Sequence, residues 1–176
     1  YQLFQIFNFK LPAYAHLGLV MKIDENGTRR KLSKRKDKEA SVEFYHKEGI
    51  PKEAVKLYLM TIANSNFEEW LDNNPNSSLD EFKFDFKKIS ASGTLFDVEK
   101  LFNISKNYLS RQSARTIYDN LVVWAEEFDP EFASVLKDNQ DYAIKIFNIE
   151  REVEKPRKDY VSYSSIKNFV FYMFDE

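Results

Sequence analysis

The distribution of apolar residues along the chain predicts a mainly helical protein. Its clearest pattern lies over residues 114–128, where apolar side chains recur at spacings of three and four, as on one face of an amphipathic helix. The helix predicted over 51–63 is apolar nearly all round, which indicates that it is deeply buried. Further helices are predicted over about 38–48, 66–73, 78–81, 98–109, 142–147 and 164–173, and one more begins at Pro130.

Residues that favour helix ends support these assignments. Asp37 and Asp97 each stand where a side-chain oxygen can cap the next helix, and Gly49 stands where a helix can end. The spacing of a capping box is present at Asn66–Glu69 and at Ser78–Glu81. Because the connections are short, we expect antiparallel helices packed into bundles.

The first 27 residues have a different pattern. Residues 1–7 indicate the end of a helix, and Pro12 separates it from the next element because proline disfavours helical geometry in the preceding residue. The apolar run over 16–23 predicts a short buried strand, and Asn26-Gly27 predicts the turn after it. A helix, a strand and a turn in this order indicate the last piece of an α/β unit.

Composition limits the class of protein. The 176 residues are 43% hydrophobic and glycine-poor, which is typical of helical globular proteins, and the absence of Cys excludes disulfides and thiolate zinc sites. No apolar run approaches the roughly 20 residues that span a bilayer, and the first residues lack a signal-peptide pattern. We therefore expect a soluble protein of the cytoplasm that does not bind membranes.

Positive charge is concentrated in one short segment, residues 29–38, with the sequence RRKLSKRKDK. This basic segment carries a formal charge of +6 in a chain of net charge −2, so the remainder carries −8. Such a concentration indicates an anionic partner, with phosphate as the first candidate. A solvated loop or a nuclear-localisation-like run has the same charge, so charge alone leaves these alternatives open.

Few other residues point to catalysis. With two His and no Cys, a metal site would depend on carboxylates, and no spacing of carboxylates in the sequence indicates one. His46 lies among charged residues of a predicted helix, which indicates a surface or half-buried position. His16 opens the predicted strand, and both a core role and a functional role remain open for it.

The order of residues inside the basic segment narrows these alternatives. The sequence KLSKR at 31–35 resembles the KMSKS motif of class I aminoacyl-tRNA synthetases, in the form found in the glutamyl and glutaminyl group. The chain resembles bacterial-type glutamyl-tRNA synthetases over at least residues 1–111, although Gly18 stands where that family has a proline. Further matches follow the family's order, at Pro12–Leu19, Glu39–Gly49, Phe96–Leu101 and Asn107–Arg111.

This resemblance implies that residues 31–35 bind ATP, which is used with Mg²⁺. Lys34 corresponds to the family's catalytic lysine, which contacts the ATP phosphates, and Lys31 would assist it electrostatically. Ser33 offers a hydroxyl, and the backbone at Leu32 would lie against the adenine. Arg35 is the fifth residue of the predicted ATP-binding segment. No residue of this chain is predicted to ligate the metal.

Contacts with tRNA are predicted for two basic groups. Arg35, Lys36 and Lys38 are directed either at the tRNA backbone or only at solvent, and the sequence leaves both interpretations open. For the second group, the alternative is a charged loop over the end of a helical bundle. The members of that group are Lys155, Arg157 and Lys158.

The resemblance also implies how the chain is divided, as helical bundle domains preceded by a remnant of an α/β catalytic domain. Residues 1–24 would be the tail of a Rossmann-type catalytic domain, 25–111 the KLSKR loop with a helical stem-contact domain, and 112–176 the first part of a helical anticodon-binding domain. Helical periodicity after residue 112 favours the glutamyl type over glutaminyl enzymes, whose anticodon-binding region is built from β-barrels.

The function implied is that of part of a glutamate–tRNA ligase, with tRNA, ATP and glutamate as partners of the parent enzyme. The sequence contains no HIGH-type motif and no residues for an amino-acid pocket, so we expect this segment alone to form no glutamyl-adenylate. A non-catalytic helical module that binds nucleic acid or a protein through its basic loop explains the charge equally well. It does not explain the ordered matches.

Overall fold

The computed structural model describes residues 1–89 and 93–174 and is mainly α-helical, which confirms the predicted fold class. Its α-helices are α1 (Gln2–Ile6), α2 (Val42–Lys47), α3 (Lys52–Ala63), α4 (Phe67–Asn73), α5 (Val98–Ser110), α6 (Ala114–Phe128), α7 (Pro130–Asp138), α8 (Gln140–Phe147) and α9 (Tyr163–Val170). Single turns of 3₁₀-helix cover Lys38–Ala40, Leu79–Glu81, Phe86–Lys88 and Phe171–Met173. Within the described ranges, no helix combines the length and the apolar character needed to cross a membrane.

Three short strands form a small sheet in the order β2-β1-β3. They are β1 (Val20–Ile23), β2 (Arg29–Lys31) and β3 (Thr94–Leu95). The central strand β1 pairs antiparallel with β2 and parallel with β3. The predicted turn is confirmed between β1 and β2, where the Gly27 amide donates to the carbonyl of Asp24 at 2.9 Å. This hairpin leads directly into the basic segment, since β2 is its first three residues.

The strand predicted over 16–23 is wrong in two respects. It begins only at Val20, and Ile23 is 54% exposed, so it is not buried. The main contacts of β1 are with β2 and β3, which lie beside it in the sheet, so its side chains on the faces of the sheet are left partly open to solvent. The pattern predicts neither β2 nor β3, because strands of two or three residues are too short to show a period of two.

The first hydrophobic core forms where α3 packs against α5. Its buried residues are Ile50, Ala54, Tyr58 and Leu101. The prediction that α3 is deeply buried is wrong, because only Ala54 and Tyr58 of this helix are buried and Leu59 is 50% exposed. The Tyr58 hydroxyl accepts a hydrogen bond from the Asp97 amide at 2.7 Å, which fixes the start of α5 on α3.

The second core confirms the strongest sequence pattern. Helix α6 contributes Ile117 and Leu121, both fully buried, and it packs against α7, α8 and α9. The other helices supply Phe132, Leu136, Ala143, Phe147 and Ile166 to the same cluster. Tyr108, near the end of α5, packs against both cores and joins them. The division of the chain at 24/25 and 111/112 stays a prediction.

Some of the helix caps predicted from the sequence are present in the structure and others are not. Asp97 caps α5 by accepting from the Lys100 amide at 3.0 Å, which confirms its assignment. Ser78 and Glu81 form a complete capping box, but only on a single 3₁₀ turn. Asn66 makes no side-chain cap bond to α4. The last helix begins at Tyr163, slightly earlier than predicted, because Ser162 caps it.

Two glycines adopt left-handed backbone conformations and offer a matched comparison. Gly27 has φ +77°, and a Cβ added there would meet nothing within 4 Å. Gly49, which ends α2 as predicted, has φ +68°, and a Cβ there would lie 2.9 Å from Tyr163 Cβ and 3.0 Å from Trp124 Nε1. Both positions therefore disfavour side chains, but only Gly49 also lacks space.

We predict that Gly49→Ala lowers the free energy of unfolding more than Gly27→Ala does. Gly27→Ala carries only the backbone penalty of about 1 kcal/mol, whereas Gly49→Ala adds an overpacking cost that brings the loss to about 3 kcal/mol. Urea denaturation of both variants measures the difference. Equal losses would show that the contact between Gly49 and the second core is not tight in solution.

Candidate functional site

The candidate site lies between β2 and α2. We call residues 31–37 the KLSKR loop; it consists of Lys31, the last residue of β2, and the turn over 32–37. The Ser33 carbonyl accepts from the amides of Lys36 and Asp37, at 3.1 and 2.8 Å, and so closes the turn. The Leu32 amide donates to the Val20 carbonyl at 2.9 Å and ties the loop to the sheet. Between these anchors, residues 34–36 are exposed.

Asp37 lies at the centre of this loop. Its carboxylate accepts two hydrogen bonds from the Arg30 guanidinium, each of 2.7 Å, and one from the Ser33 amide, also of 2.7 Å. Lys22 Nζ lies 3.5 Å from the same carboxylate and also donates to both oxygens of Glu39 at 3.1 Å. Asp37 is only 4% exposed, so the single acid of the basic segment is enclosed by Arg30 of the same segment and by Lys22 of β1.

The predicted helix-capping role of Asp37 is therefore wrong. Residues 38–40 form a 3₁₀ turn and α2 starts at Val42, and Asp37 makes no cap bond to either. A guanidinium offers two parallel charge-assisted bonds, which are stronger than a single bond from a neutral amide. The Asp37 carboxylate therefore bonds to the Arg30 guanidinium and not to the amides at the start of the helix that its sequence position predicted it to cap.

The ion pair also sets the charge of both groups. Hydrogen bonding to Arg30, followed by the bond from the Ser33 amide, holds the pKa of the Asp37 carboxyl well below its usual range. The bond to Asp37 in turn raises the pKa of Arg30 above its ordinary value. Both groups stay ionised throughout the physiological range.

Among the described residues, the ion pairs of Asp37 are with Arg30 and Lys22, and the other cations of the segment do not join them. Lys31, Lys34, Arg35 and Lys36 are all exposed, and none has a carboxylate partner among residues 1–89 and 93–174. Lys38 lies over the Phe44 ring, with Nζ 4.8 Å from its centroid. The loop therefore presents a cluster of positive charge whose only acid is turned inward.

Part of the loop lines a groove of about 930 Å³ between the two cores. Lys31, Leu32 and Lys34 are among its lining residues. Helices α3 and α6 also line this groove, and their contribution includes Val55, Leu59, Val123 and Trp124. Of the five residues predicted to bind ATP, these three share the groove, whereas Ser33 and Arg35 do not line it.

The second basic group is partly neutralised. Lys155, Arg157 and Lys158 are exposed, but Arg157 Nε lies 2.7 Å from Asp159 and 3.5 Å from Glu150. The neighbouring Arg151 is structural, because its guanidinium donates to carbonyls at the ends of α5 and α8. The sequence prediction of tRNA contacts for this group stays a prediction.

The two histidines take no part in the loop. His16 is exposed ahead of β1, so a core role for it is wrong. His46 is exposed as predicted, with Nε2 3.4 Å from a Glu127 oxygen of α6. In the part of the chain that the structure describes, no group of three or more potential ligands could hold a metal ion.

Sequence reasoning missed Arg30 and Lys22 as partners of Asp37. One signal was available, since Asp37 is the only acid among ten residues of which seven are basic. A lone acid in such surroundings pairs more readily with a nearby cation than with a helix end. The identity of the partner depends on the pairing of β1 with β2, which places Lys22 opposite Arg30.

Comparisons with known proteins point to one family, although no family model matches the chain. Over all 176 residues, the chain is 47% identical to a glutamate–tRNA ligase of Acetivibrio thermocellus. Over 99% of its length, it is 43% identical to a glutamate–tRNA ligase of Clostridium beijerinckii. The chain spans 32% of the length of each of these relatives.

Solved structures show the same fold. A glutamate–tRNA synthetase from Elizabethkingia anophelis matches with a TM-score of 0.63 at 23% identity, over 99% of this chain and 35% of that one. A glutamate–tRNA ligase from Elizabethkingia meningosepticum matches with a TM-score of 0.64 at 24% identity, over 99% of this chain and 34% of that one. The overall fold of this chain therefore recurs in these proteins.

We predict that Asp37→Asn lowers the free energy of unfolding at pH 7 and that this deficit shrinks in acid. A carboxylate whose pKa is lower in the folded state stabilises that state above its ordinary pKa, and the stabilisation is lost as the pH falls. The difference between wild type and variant should therefore begin to shrink below about pH 4. Urea denaturation between pH 7 and pH 2 measures it, with the exposed Asp80→Asn as the matched control. A deficit that stays constant down to pH 2 would contradict the role given to the Asp37 charge.

Proposed function

Because the chain belongs by sequence to the glutamate–tRNA ligase family, we propose that it forms part of an enzyme that activates glutamate with ATP and transfers it to tRNA. The match covers about a third of the relatives' length, so we propose that other parts of the enzyme supply the glutamate site. On this proposal, the chain alone makes no glutamyl-adenylate. We place the enzyme in the cytoplasm, where translation takes place.

The proposed task of the KLSKR loop is to contact the phosphates of ATP. In adenylate formation, the glutamate carboxylate attacks the α-phosphate, and the bond between that phosphorus and the leaving pyrophosphate breaks. Negative charge grows on the departing oxygens, so a cation placed there stabilises the transition state more than the ground state. Lys34 is the proposed cation, and Lys31, which lines the same groove, would add to the local positive field.

The observation that carries this proposal is the inward turn of Asp37. If Asp37 faced the loop surface, its carboxylate would compete with phosphate for Lys34. Arg30 and the Ser33 amide occupy that carboxylate instead, which leaves the lysines at the tip available for an anion. The same bonds close the turn that carries Lys34. The positive charge of Lys34 is therefore held on a hydrogen-bonded turn and not on an unstructured segment.

The donor set of the loop suits phosphate oxygens and not a metal ion. Its exposed side chains are ammonium and guanidinium groups, which donate hydrogen bonds and do not ligate cations. We therefore propose that Mg²⁺ enters with the nucleotide and is held by phosphate oxygens and by other parts of the enzyme. The basic side chains of this segment would contact the phosphates alone.

Contacts with tRNA are the second proposed role of the basic residues. Lys/Arg contacts to phosphates supply affinity and register but no sequence information. Arg35 and Lys36 follow Lys34 directly, and Lys38 comes after Asp37; on this proposal, all three meet the tRNA backbone beside the reaction site. The helical regions 25–111 and 112–176 would then bind the inner corner and the anticodon side of the tRNA. Lys155, Arg157 and Lys158 are the proposed contacts in the second region.

We predict that Lys34→Ala in the glutamate–tRNA ligase containing this sequence lowers kcat of ATP–pyrophosphate exchange by about 10²- to 10³-fold. The KM for glutamate should change little, because Lys34 is proposed to act on the phosphates. Lys145→Ala, which removes an exposed lysine from α8, is the matched control and should leave kcat unchanged. A Lys34→Ala enzyme with normal kcat would refute the proposed role of the loop.

We also predict that reversing the charge of Arg157 and Lys158 to Glu weakens tRNA binding by about tenfold at low salt without changing the affinity for ATP. A plot of log affinity against log salt concentration has a negative slope, and the magnitude of this slope should decrease by roughly one for each phosphate that is no longer bound. Reversal of Lys137 and Lys145 changes the charge of the same helical region equally and serves as control. Unchanged tRNA affinity across several salt concentrations would remove this group from the binding surface.

A further inference from the structure

The C-terminal end of α2 is bonded to the second core at three consecutive carbonyls. The Lys47 carbonyl accepts from Trp124 Nε1 of α6 at 3.1 Å. The Glu48 carbonyl accepts from the Ser164 hydroxyl at 2.8 Å, and the Gly49 carbonyl accepts from the Tyr163 amide at 2.8 Å, both in the first turn of α9. The last carbonyls of a helix lack partners within it, and here two other helices supply them.

Packing at the same point leaves little freedom for movement. Gly49 has no space for a Cβ because Tyr163 and Trp124 approach its backbone directly. His46, one turn earlier on α2, meets the Phe128 ring of α6 edge-on with centroids 5.1 Å apart. Three hydrogen bonds and a close contact therefore fix the end of α2 to α6 and α9.

The other end of this segment carries the KLSKR loop. Only residues 38–41 separate Asp37 from the start of α2, and three of them form a 3₁₀ turn. Tyr45, on α2, donates its hydroxyl to the Glu39 carbonyl and so fastens the helix to that turn. Residues 37–49 are thus held at one end by Arg30 and the Ser33 amide, and at the other by the second core.

We propose that Trp124 and Ser164 are positioning residues for the KLSKR loop, acting through α2. Because α2 has only six residues and is fixed at both ends, a shift of α6 and α9 is transmitted to Asp37 rather than absorbed between them. The loop that carries Lys34 therefore follows the position of the second core. The coupling of the second core to the loop through α2 does not depend on the proposed function. An effect of this coupling on catalysis rests on the proposed function.

The test is residue-resolved hydrogen exchange on the 176-residue chain with Trp124→Phe and Ser164→Ala. Each change removes one donor to α2 and leaves the KLSKR loop itself unaltered. We expect the amides of Ser33, Lys36 and Asp37 to exchange about fivefold faster, the factor for one ordinary hydrogen bond. Trp70→Phe, on α4, and Ser134→Ala, whose hydroxyl bonds within α7, are the matched controls and should leave loop exchange unchanged.

Faster exchange at Glu48, Gly49 and Ile50 with unchanged exchange in the loop would overturn the proposal, because the contact would then be only local. If Trp124→Phe also speeds exchange throughout α3 and α5, the milder Ser164→Ala decides the question. Unchanged loop exchange in that variant overturns the proposal as well.

A second measurement separates this inference from the proposed function. In the longer enzyme, Ser164→Ala should lower kcat of ATP–pyrophosphate exchange by about fivefold with little change in the KM for glutamate. If loop exchange responds to Ser164→Ala but kcat does not respond even to Lys34→Ala, then the link exists and the catalytic proposal fails. If kcat responds to Lys34→Ala but loop exchange is unaffected by Ser164→Ala, then the link is absent and the catalytic proposal stands.

Discussion

The structure of the basic segment depends on the ion pair between Arg30 and Asp37. A carboxylate withdrawn from water is costly unless its oxygens are paired and hydrogen-bonded, and here both oxygens are bonded to the guanidinium. The third bond, from the Ser33 amide, turns the chain back so that residues 33–37 close into a loop. One acidic residue therefore both shapes the loop and is prevented from neutralising the cations at its tip.

The position of the loop depends on elements far from it in the sequence. The sheet holds its first residue, since Leu32 is bonded to Val20, and α2 continues from its last. Helix α2 in turn ends on α6 and α9, more than 70 residues further along the chain. The groove lined by Lys31 and Lys34 is completed by α3 and α6, so both cores contribute to the candidate site.

The sequence predicted the features that depend on local or periodic patterns. The stripe over 114–128, the cap at Asp97 and the helix end at Gly49 each express a rule that acts within a few residues, and all are confirmed. The order of residues at 31–35 located the candidate site, although no local rule would have done so. Pairing across the chain was not predictable, because the partner of Asp37 follows from the β1–β2 register. The exposure of Leu59 was not predictable either, because it depends on how α3 packs against helices distant in sequence.

The claim that Lys34 contacts the phosphates of ATP is tested most directly by a crystal structure of the longer ligase with a non-hydrolysable ATP analogue. We expect a β- or γ-phosphate oxygen within about 3.2 Å of Lys34 Nζ, with Asp37 still bonded to Arg30. Bound phosphates contacted by other groups, with Lys34 and Lys31 both turned to solvent, would contradict the proposed function of the loop.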